Sequence, residues 1–289
     1  MSESRLTLLA VHAHPDDEAL GTGGTFLRYH DLGVRTVLVM CTRGECGEIS
    51  DPALATPENL GEVRTRELEE AVRLMKVDRL IWLGYRDSGM AGTPDNDNPA
   101  SFHQADLDEA VGRLVGIVRE ERPQVLISYD ALGTYGHPDH IRAHQVTVAA
   151  FDAAGDASRF PEAGRPWQPA RLYYSVRPRS RTESLLRAAR EAGIEGLFGA
   201  QTEADVRERL ERFATPDEDV TTEIEIGPYY DQKRAAILAH RTQIGPQSFF
   251  GRMPVEIGRR FGTHEFFQRG AGRAPEPAGE RETDLFAGL

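Results

Sequence analysis

The sequence predicts an α/β fold in which a mostly parallel sheet lies between two layers of helices, followed by a C-terminal elaboration. Two observations support this prediction. Within residues 1–155, short apolar runs alternate four times with helical patterns, which is the order that forms a parallel sheet through right-handed crossovers. Each apolar run is followed by a segment that carries charged residues or histidines. The combination is typical of a Rossmann-like three-layer sandwich, in which ligands bind where the strands end.

The four apolar runs are the predicted strands, and each is short enough for a buried strand. They cover residues 6–11, 34–40, 79–83 and 124–129. The segments that follow them carry apolar residues at helical spacing with charges between. These predicted helices cover residues 19–29, 63–75, 107–118 and 139–154.

The second half of the chain has weaker patterns. Strands are expected at residues 170–176 and at residues 220–226, where apolar residues alternate. Helices are expected within residues 183–212 and 230–243. Because no internal repeat or linker is visible, we expect one domain over residues 1–289. In it, residues 1–155 form the core and residues 156–289 form a C-terminal part that shapes the substrate site.

The composition argues against several classes of protein. With a formal net charge of -12, the chain is not expected to hold nucleic acid through phosphate contacts. No apolar stretch reaches the roughly 18 residues of a membrane span, and the N-terminus does not resemble a signal peptide. Cys41 and Cys46 match no zinc or redox spacing, so a cytoplasmic location is expected. The sequence leaves open whether the chain forms a homo-oligomer.

Two clusters of potential metal ligands follow the first and fourth predicted strands. They are His12-Ala-His-Pro-Asp-Asp-Glu18 and His137-Pro-Asp-His140. A catalytic zinc site has three protein ligands, drawn from histidines and carboxylates, and an open position for water. His14, Asp17 and His140 provide that set where the two strand exits meet, so we expect one zinc ion per chain. Iron(II) accepts the same types of ligand.

The residues beside these ligands suggest a hydrolytic mechanism. Asp16, next to the ligand Asp17, is the expected general base for a water that attacks a carbonyl carbon. A protonated His137 or the phenol of Tyr135 is expected to stabilise the developing oxyanion. The carboxylate of Asp139 is expected to hold His137 in its charged form and to orient it.

Other polar residues near the clusters are interpreted as structural. His12 is expected to be a packed or hydrogen-bonded core histidine. Glu18 is expected to be a first-turn residue that favours the N-terminus of a helix. His240 is expected to be structural or to lie on the surface. For Arg64, a solvated helix face and a contact with substrate are both open.

The two clusters together resemble the zinc-dependent de-N-acetylases called the PIG-L or LmbE-like family. The pair His14-Pro-Asp-Asp-Glu18 and His137-Pro-Asp-His140 is a specific combination, and the similarity extends over nearly the whole chain. Further segments that carry it are Arg86-Asp-Ser-Gly-Met-Ala-Gly92, Gly133-Thr-Tyr-Gly-His-Pro-Asp-His140 and Glu282-Thr-Asp-Leu-Phe-Ala-Gly-Leu289. These details are similar to the branch that acts on glucosaminyl-inositol compounds in mycothiol metabolism.

The resemblance implies a reaction and a set of residue roles. The reaction is metal-dependent hydrolysis of the acetamide of an N-acetylglucosamine-containing conjugate, such as N-acetylglucosaminyl-inositol, to acetate and a free amine. The metal would be zinc. The implied residues are the metal ligands His14, Asp17 and His140, the base Asp16, the acid or oxyanion stabiliser His137 with Tyr135 and Asp139 in support, and the sugar contacts Arg64, Asp87, Glu48 and Gln243.

Several alternatives stay open at this point. Residues 140–155 and 160–167 are more similar to mycothiol S-conjugate amidases, but the lysine that follows Asp-Asp-Glu in those enzymes is missing here. A deacetylase of the malate conjugate in bacillithiol biosynthesis is a third possibility. From the ligand chemistry alone, a metallophosphoesterase is a rival, although such enzymes usually need two metals. A metal-dependent binding protein without activity is a further alternative.

Overall fold

The structure is a computed structural model that describes residues 5–194, 202–273 and 281–289. These residues contain one seven-stranded sheet. Its strands are β1 (Thr7–His12), β2 (Arg35–Met40), β3 (Arg79–Trp82), β4 (Val125–Tyr129), β5 (Arg171–Val176), β6 (Thr222–Glu225) and β7 (His264–Ala271). They lie in the order β3-β2-β1-β4-β5-β7-β6.

Strands β1 to β5 are parallel to one another, and β7 runs antiparallel to both β5 and β6. The predicted α/β fold with a mostly parallel sheet is therefore confirmed. At the centre of the sheet, β1 pairs with β2 on one side and with β4 on the other. The chain order reverses between β1 and β4, and the crevice at such a reversal is the usual ligand site of these sheets.

Helices cover both faces of the sheet. Those of the first half are α1 (Asp17–Gly21), α2 (Gly23–Asp31), α3 (Leu60–Leu74), α4 (Leu107–Glu121), the single irregular turn α5 (Gly133–Gly136) and α6 (Pro138–Ala154). Those of the second half are α7 (Arg179–Glu191), α8 (Glu203–Phe213), α9 (Tyr230–Ala239), α10 (Phe249–Arg252) and α11 (Val255–Phe261). Part of the helical region expected at residues 183–212, namely 195–201, lies outside the described residues.

The three layers follow from the alternation of side chains along buried strands. In β1, Leu9 and Val11 belong to a cluster that includes apolar residues of α4 and α6. Leu8 and Ala10 point to the other face and belong to a cluster with residues of α2, α3 and α9. All six residues of β1 are buried, as expected for a central parallel strand covered on both sides.

The helix expected at residues 19–29 is divided into α1 and α2 at Thr22. Gly24 in α2 lies against Ile226, the residue that follows β6, because a Cβ atom at this position would come within 2.6 Å of the Ile226 Cβ. Close packing against this side chain therefore explains why glycine occupies position 24.

Strand β7 was not expected from the sequence. Its residue Glu265 is 4 % exposed and accepts hydrogen bonds at 2.8 Å from the backbone N–H groups of Gly24 and Thr25. The carboxylate thus satisfies free donors at the N-terminus of α2. A charged residue at a core position breaks the apolar alternation that identifies a strand, which is why the pattern was missed.

The C-terminal residues 281–289 pack back onto the sheet layer. Leu285 and Phe286 are buried in the same cluster as Tyr29 of α2. The Tyr29 hydroxyl donates to Asp284 at 2.8 Å and accepts from the Leu285 N–H at 2.6 Å. Within the described residues, no helix combines the length and the apolar character that crossing a membrane requires.

Candidate active site

The predicted clusters meet at the reversal point between β1 and β4. His14 and Asp17 follow β1, whereas His137 and His140 lie at the start of α6, beyond β4. Asp87 arrives from the segment after β3. These residues come together because parallel strands all end at one edge of the sheet.

Three donor atoms converge at this edge. His14 Nδ1 lies 3.4 Å from Asp17 Oδ2, His140 Nε2 lies 3.2 Å from the same oxygen, and the two ring nitrogens are 3.2 Å apart. Ligands of tetrahedral zinc at bond lengths of 2.0–2.1 Å would be separated by about 3.3 Å. The three residues therefore fit a metal ion, and the charge around them suits a cation, since Asp87 and Asp139 also lie within 3.4 Å of His14.

The second ring nitrogen of His14 faces carboxylates. His14 Nε2 lies 3.2 Å from Asp139 Oδ2 and 3.4 Å from Asp87 Oδ1. Asp139 is held in turn by Ser88, whose N–H donates at 2.9 Å and whose hydroxyl donates to the other carboxylate oxygen. Such a carboxylate keeps the proton on Nε2 and leaves the Nδ1 lone pair for a metal.

The role of Asp139 differs from the prediction. Its carboxylate was expected to orient His137, but it contacts His14 and Ser88. What Asp139 contributes to His137 is its backbone N–H, which donates to His137 Nδ1 at 3.2 Å. Sequence could not predict the side-chain contacts, because His14 and Ser88 are 125 and 51 positions away from Asp139 along the chain.

This hydrogen bond determines which ring nitrogen carries the proton when His137 is neutral. Since Nδ1 accepts, the proton of the neutral ring is on Nε2. Burial, together with the neighbouring His14 and His140, lowers the pKa of His137 to about 2. A neutral His137 therefore presents an Nε2–H donor, and the charged form stays a prediction.

His14, His137 and His140 form another group of side chains close enough to share a metal ion. For His137 to bind a metal through Nε2, Nδ1 would have to carry the proton. That proton would then face the Asp139 N–H that now donates to Nδ1. The geometry therefore favours Asp17 over His137 as the third ligand.

Asp16 lies beside the three donor atoms in a strained backbone conformation. Its φ angle is 128°, a region that non-glycine residues rarely adopt and that occurs mainly at functional sites. Its carboxylate lies 3.4 Å from the Arg64 guanidinium. Burial raises the pKa of Asp16 to about 7, which suits a group that takes up a proton near neutral pH.

The Tyr135 ring packs edge-to-face with the His140 ring, with ring centroids 4.9 Å apart. It belongs to α5, where Thr134 has a φ of 65°. Burial raises the pKa of Tyr135 above its usual value, so the phenol keeps its proton and can donate a hydrogen bond.

A cleft of about 1410 Å³, open to solvent, lies over these residues. Its walls include all four residues expected to contact the sugar, Arg64, Asp87, Glu48 and Gln243. Several of them also have protein partners. Arg64 donates to the Gly44 carbonyl at 2.9 Å, and Gln243 donates to the Glu48 carbonyl at 2.8 Å. Gln243 thereby joins the C-terminal part of the chain to the loop after β2.

Two features of the site were not expected from the sequence. Ser88 is fully buried and holds Asp139. Glu18 was interpreted as a helix-terminus residue, but it is fully buried and lies 2.7 Å from His240. These two residues are separated by 222 positions, and no periodicity links them. The run of three consecutive carboxylates at residues 16–18 is the sequence feature that could have indicated an additional role for Glu18.

Residues 9–151 match the family described as "PIG-L: GlcNAc-PI de-N-acetylase". The chain is 43% identical to 1D-myo-inositol 2-acetamido-2-deoxy-alpha-D-glucopyranoside deacetylase 1 of Catenulispora acidiphila over 98% of its own length and 89% of that protein. It is also 43% identical to the deacetylase of the same description from Thermobifida fusca, covering 97% of this chain and 98% of the relative. The chain belongs to the PIG-L family.

The fold of this PIG-L protein is shared with N,N'-diacetylchitobiose deacetylase from Pyrococcus horikoshii. The TM-score is 0.62 at 21% identity, and the match covers 92% of this chain and 84% of the other. Similarity at this level concerns the fold, since unrelated functions recur on one architecture. The candidate active site of the PIG-L chain therefore has to be argued from its own residues.

Proposed function

We propose that this enzyme hydrolyses the acetamide of 1D-myo-inositol 2-acetamido-2-deoxy-α-D-glucopyranoside to acetate and a free amine. The relatives that are about 43% identical carry this activity in their descriptions. The observation that supports the reaction most strongly is the convergence of donor atoms from His14, Asp17 and His140 beside Asp16. Amide hydrolysis needs an activated water and a stabilised oxyanion, and this arrangement offers groups for both.

Each residue of the site has a distinct role in the proposed hydrolysis. His14, Asp17 and His140 would hold a zinc or iron(II) ion, which when bound lowers the pKa of water and polarises a carbonyl. Asp16 accepts a proton from the water whose oxygen forms the new bond to the acetyl carbon. His137 Nε2–H and the Tyr135 hydroxyl donate hydrogen bonds to the carbonyl oxygen as it becomes negative. The C–N bond then breaks, and the proton taken by Asp16 goes to the leaving nitrogen.

The wall of the cleft formed by residues 48–50 and 242–248 favours a neutral polyol as the group attached to the sugar. It carries hydroxyl and amide side chains, namely Ser50, Thr242, Gln243, Gln247 and Ser248. Apart from histidine, Arg64 is the one basic side chain among the described residues of the lining. Malate carries two carboxylates, which would meet the acidic Glu48 and Asp87 with little compensation. The hydroxyls of inositol can pair with this wall directly.

A substrate panel tests this proposal. Acetate release is measured for metal-loaded enzyme on the inositol conjugate, on the malate conjugate, and on N-acetylglucosamine without an attached group. A mycothiol S-conjugate is assayed in parallel for amine release. We expect the inositol conjugate to have the highest kcat/KM. A higher kcat/KM for the malate conjugate or the S-conjugate would contradict the proposed specificity, and turnover of none of them would contradict the proposed activity.

A cytoplasmic location stays a prediction.

A further inference from the structure

Glu18 and His240 form a buried pair beneath the cleft. His240 Nε2 lies 2.7 Å from Glu18 Oε1, and both side chains are 0% exposed. Glu18 lies in the first turn of α1, and His240 directly follows α9. Neither belongs to the cleft lining, so neither is placed to touch a substrate. A buried carboxylate is costly unless it is paired. The contact with His240 therefore offsets the cost of burying Glu18.

The second oxygen of Glu18 holds the backbone of Asp16. The Asp16 N–H donates to Glu18 Oε2 at 2.9 Å, and Asp16 is the residue with a φ of 128°. Such a conformation persists only where the surroundings impose it. Arg64 contacts the same turn from α3, since it donates to the Pro15 carbonyl at 2.5 Å. Glu18 and Arg64 therefore hold the Asp16 turn from two sides.

His240 also anchors one wall of the cleft. Its carbonyl accepts from the Gln243 N–H at 3.1 Å and from the Ile244 N–H at 2.7 Å. This turn carries Thr242 and Gln243, which line the cleft. The His240 side chain thus joins the turn that shapes the cleft to the turn that carries Asp16.

We propose that Glu18 and His240 are positioning residues that hold the Asp16 carboxylate in its reactive orientation. The inference rests on the proposed function, because it requires Asp16 to be the general base. It predicts that loss of the pair lowers kcat, whereas KM and the metal content change little. Misplacement of a catalytic group by about 1 Å can cost about 100-fold in rate.

The first experiment compares two substitutions of His240. His240→Leu removes the hydrogen bond to Glu18, whereas His240→Gln keeps a side-chain N–H donor. We expect kcat for acetate release to fall about 10- to 100-fold in His240→Leu, with KM within about twofold, and to recover largely in His240→Gln. Lys233→Met is the matched control. It breaks a partly buried pair made by α9, in which Lys233 lies 2.6 Å from Glu265, and should lower Tm but not kcat.

The second experiment asks whether His240 acts through Asp16. In the Asp16→Asn background, His240→Leu should cause no further loss of the residual kcat, because the group it positions is already gone. An equal loss in both backgrounds would overturn the inference, as would an unchanged kcat in His240→Leu. If His240→Leu does not fold, His240→Asn, which is too short to reach Glu18, replaces it under the same criteria. Absence of turnover in the wild type would count against the proposed function instead.

Discussion

At the scale of single residues, the candidate site depends on which ring nitrogen of each histidine carries the proton. Asp139 sets both states. Its carboxylate faces His14 Nε2, and its backbone N–H donates to His137 Nδ1. One residue therefore leaves His14 Nδ1 free for a metal ion and His137 Nε2–H free to donate. Ser88, which holds Asp139 in place, belongs to the same network.

Replacement of Asp139 tests this network. In Asp139→Asn, the backbone N–H is retained, but the side chain loses the charge that faces His14. We expect metal affinity to fall about 10- to 100-fold, the usual cost of losing such a partner. Competition of the protein with a chelator for zinc measures it. An unchanged affinity would mean that the carboxylate does not support His14 as a ligand.

The convergence of the three candidate ligands could be predicted from the sequence, and their supporting contacts could not. His14, Asp17 and His140 follow strands that end at one edge of a parallel sheet, so their convergence is a consequence of topology. The partner of His14 Nε2 depends on how the segment with Ser88 packs onto the start of α6. No local pattern encodes that packing.

At the scale of elements, α6 carries the second half of the site, and Arg119 holds its far end. The first turn of helix α6 contains Asp139 and His140, and the helix ends at Ala154. The buried Arg119 of α4 donates to a group of carbonyls at and beyond that end, namely those of Ala153, Ala154, Asp156, Arg159, Phe160 and Gly164. A cation at the C-terminus of a helix also interacts favourably with the helix dipole.

Arg119→Lys should therefore be costly although the charge is retained. Lysine cannot reproduce the planar fork of donors, and buried carbonyls would lose their partners. We expect the free energy of unfolding to fall by about 2–4 kcal/mol, with kcat near the wild-type value. Urea unfolding measures the loss, and Arg66→Lys on the exposed side of α3 is the control. Equal stability of the two variants would contradict this role of Arg119.

The elements themselves were predictable to different degrees. The first four strands and the helices that follow them have strong apolar periodicity, and the structure contains all of them. Strand β7 was missed because Glu265 occupies a core position and serves α2 rather than the apolar core. The break between α1 and α2 at Thr22 was not predicted, because the apolar pattern runs through it without interruption.

At the scale of the whole molecule, the C-terminal residues join the first and second halves of the chain. Arg171 of β5 donates to the Leu285 carbonyl at 2.9 Å, and Phe286 packs against Tyr29 with ring centroids 5.1 Å apart. Such long-range packing leaves no local pattern, so the sequence indicated little about the arrangement of this half.

Phe286→Ala measures the contribution of this segment. The ring is 6% exposed, so its removal should lower the free energy of unfolding by about 3 kcal/mol. Leu289→Ala, in the same segment but 46% exposed, should change it by less than about 0.5 kcal/mol. Thermal unfolding of both variants gives the comparison. Similar Tm values for the two variants would show that the segment does not contribute to the core.

The most direct test of the account is acetate release from the inositol conjugate by wild type and Asp16→Asn, with metal content measured on both. The account predicts about one metal ion per chain in each protein. It predicts turnover by the wild type and a kcat about 10²- to 10⁴-fold lower in Asp16→Asn. Full turnover by Asp16→Asn at equal metal content, or no acetate from the metal-loaded wild type, would contradict it.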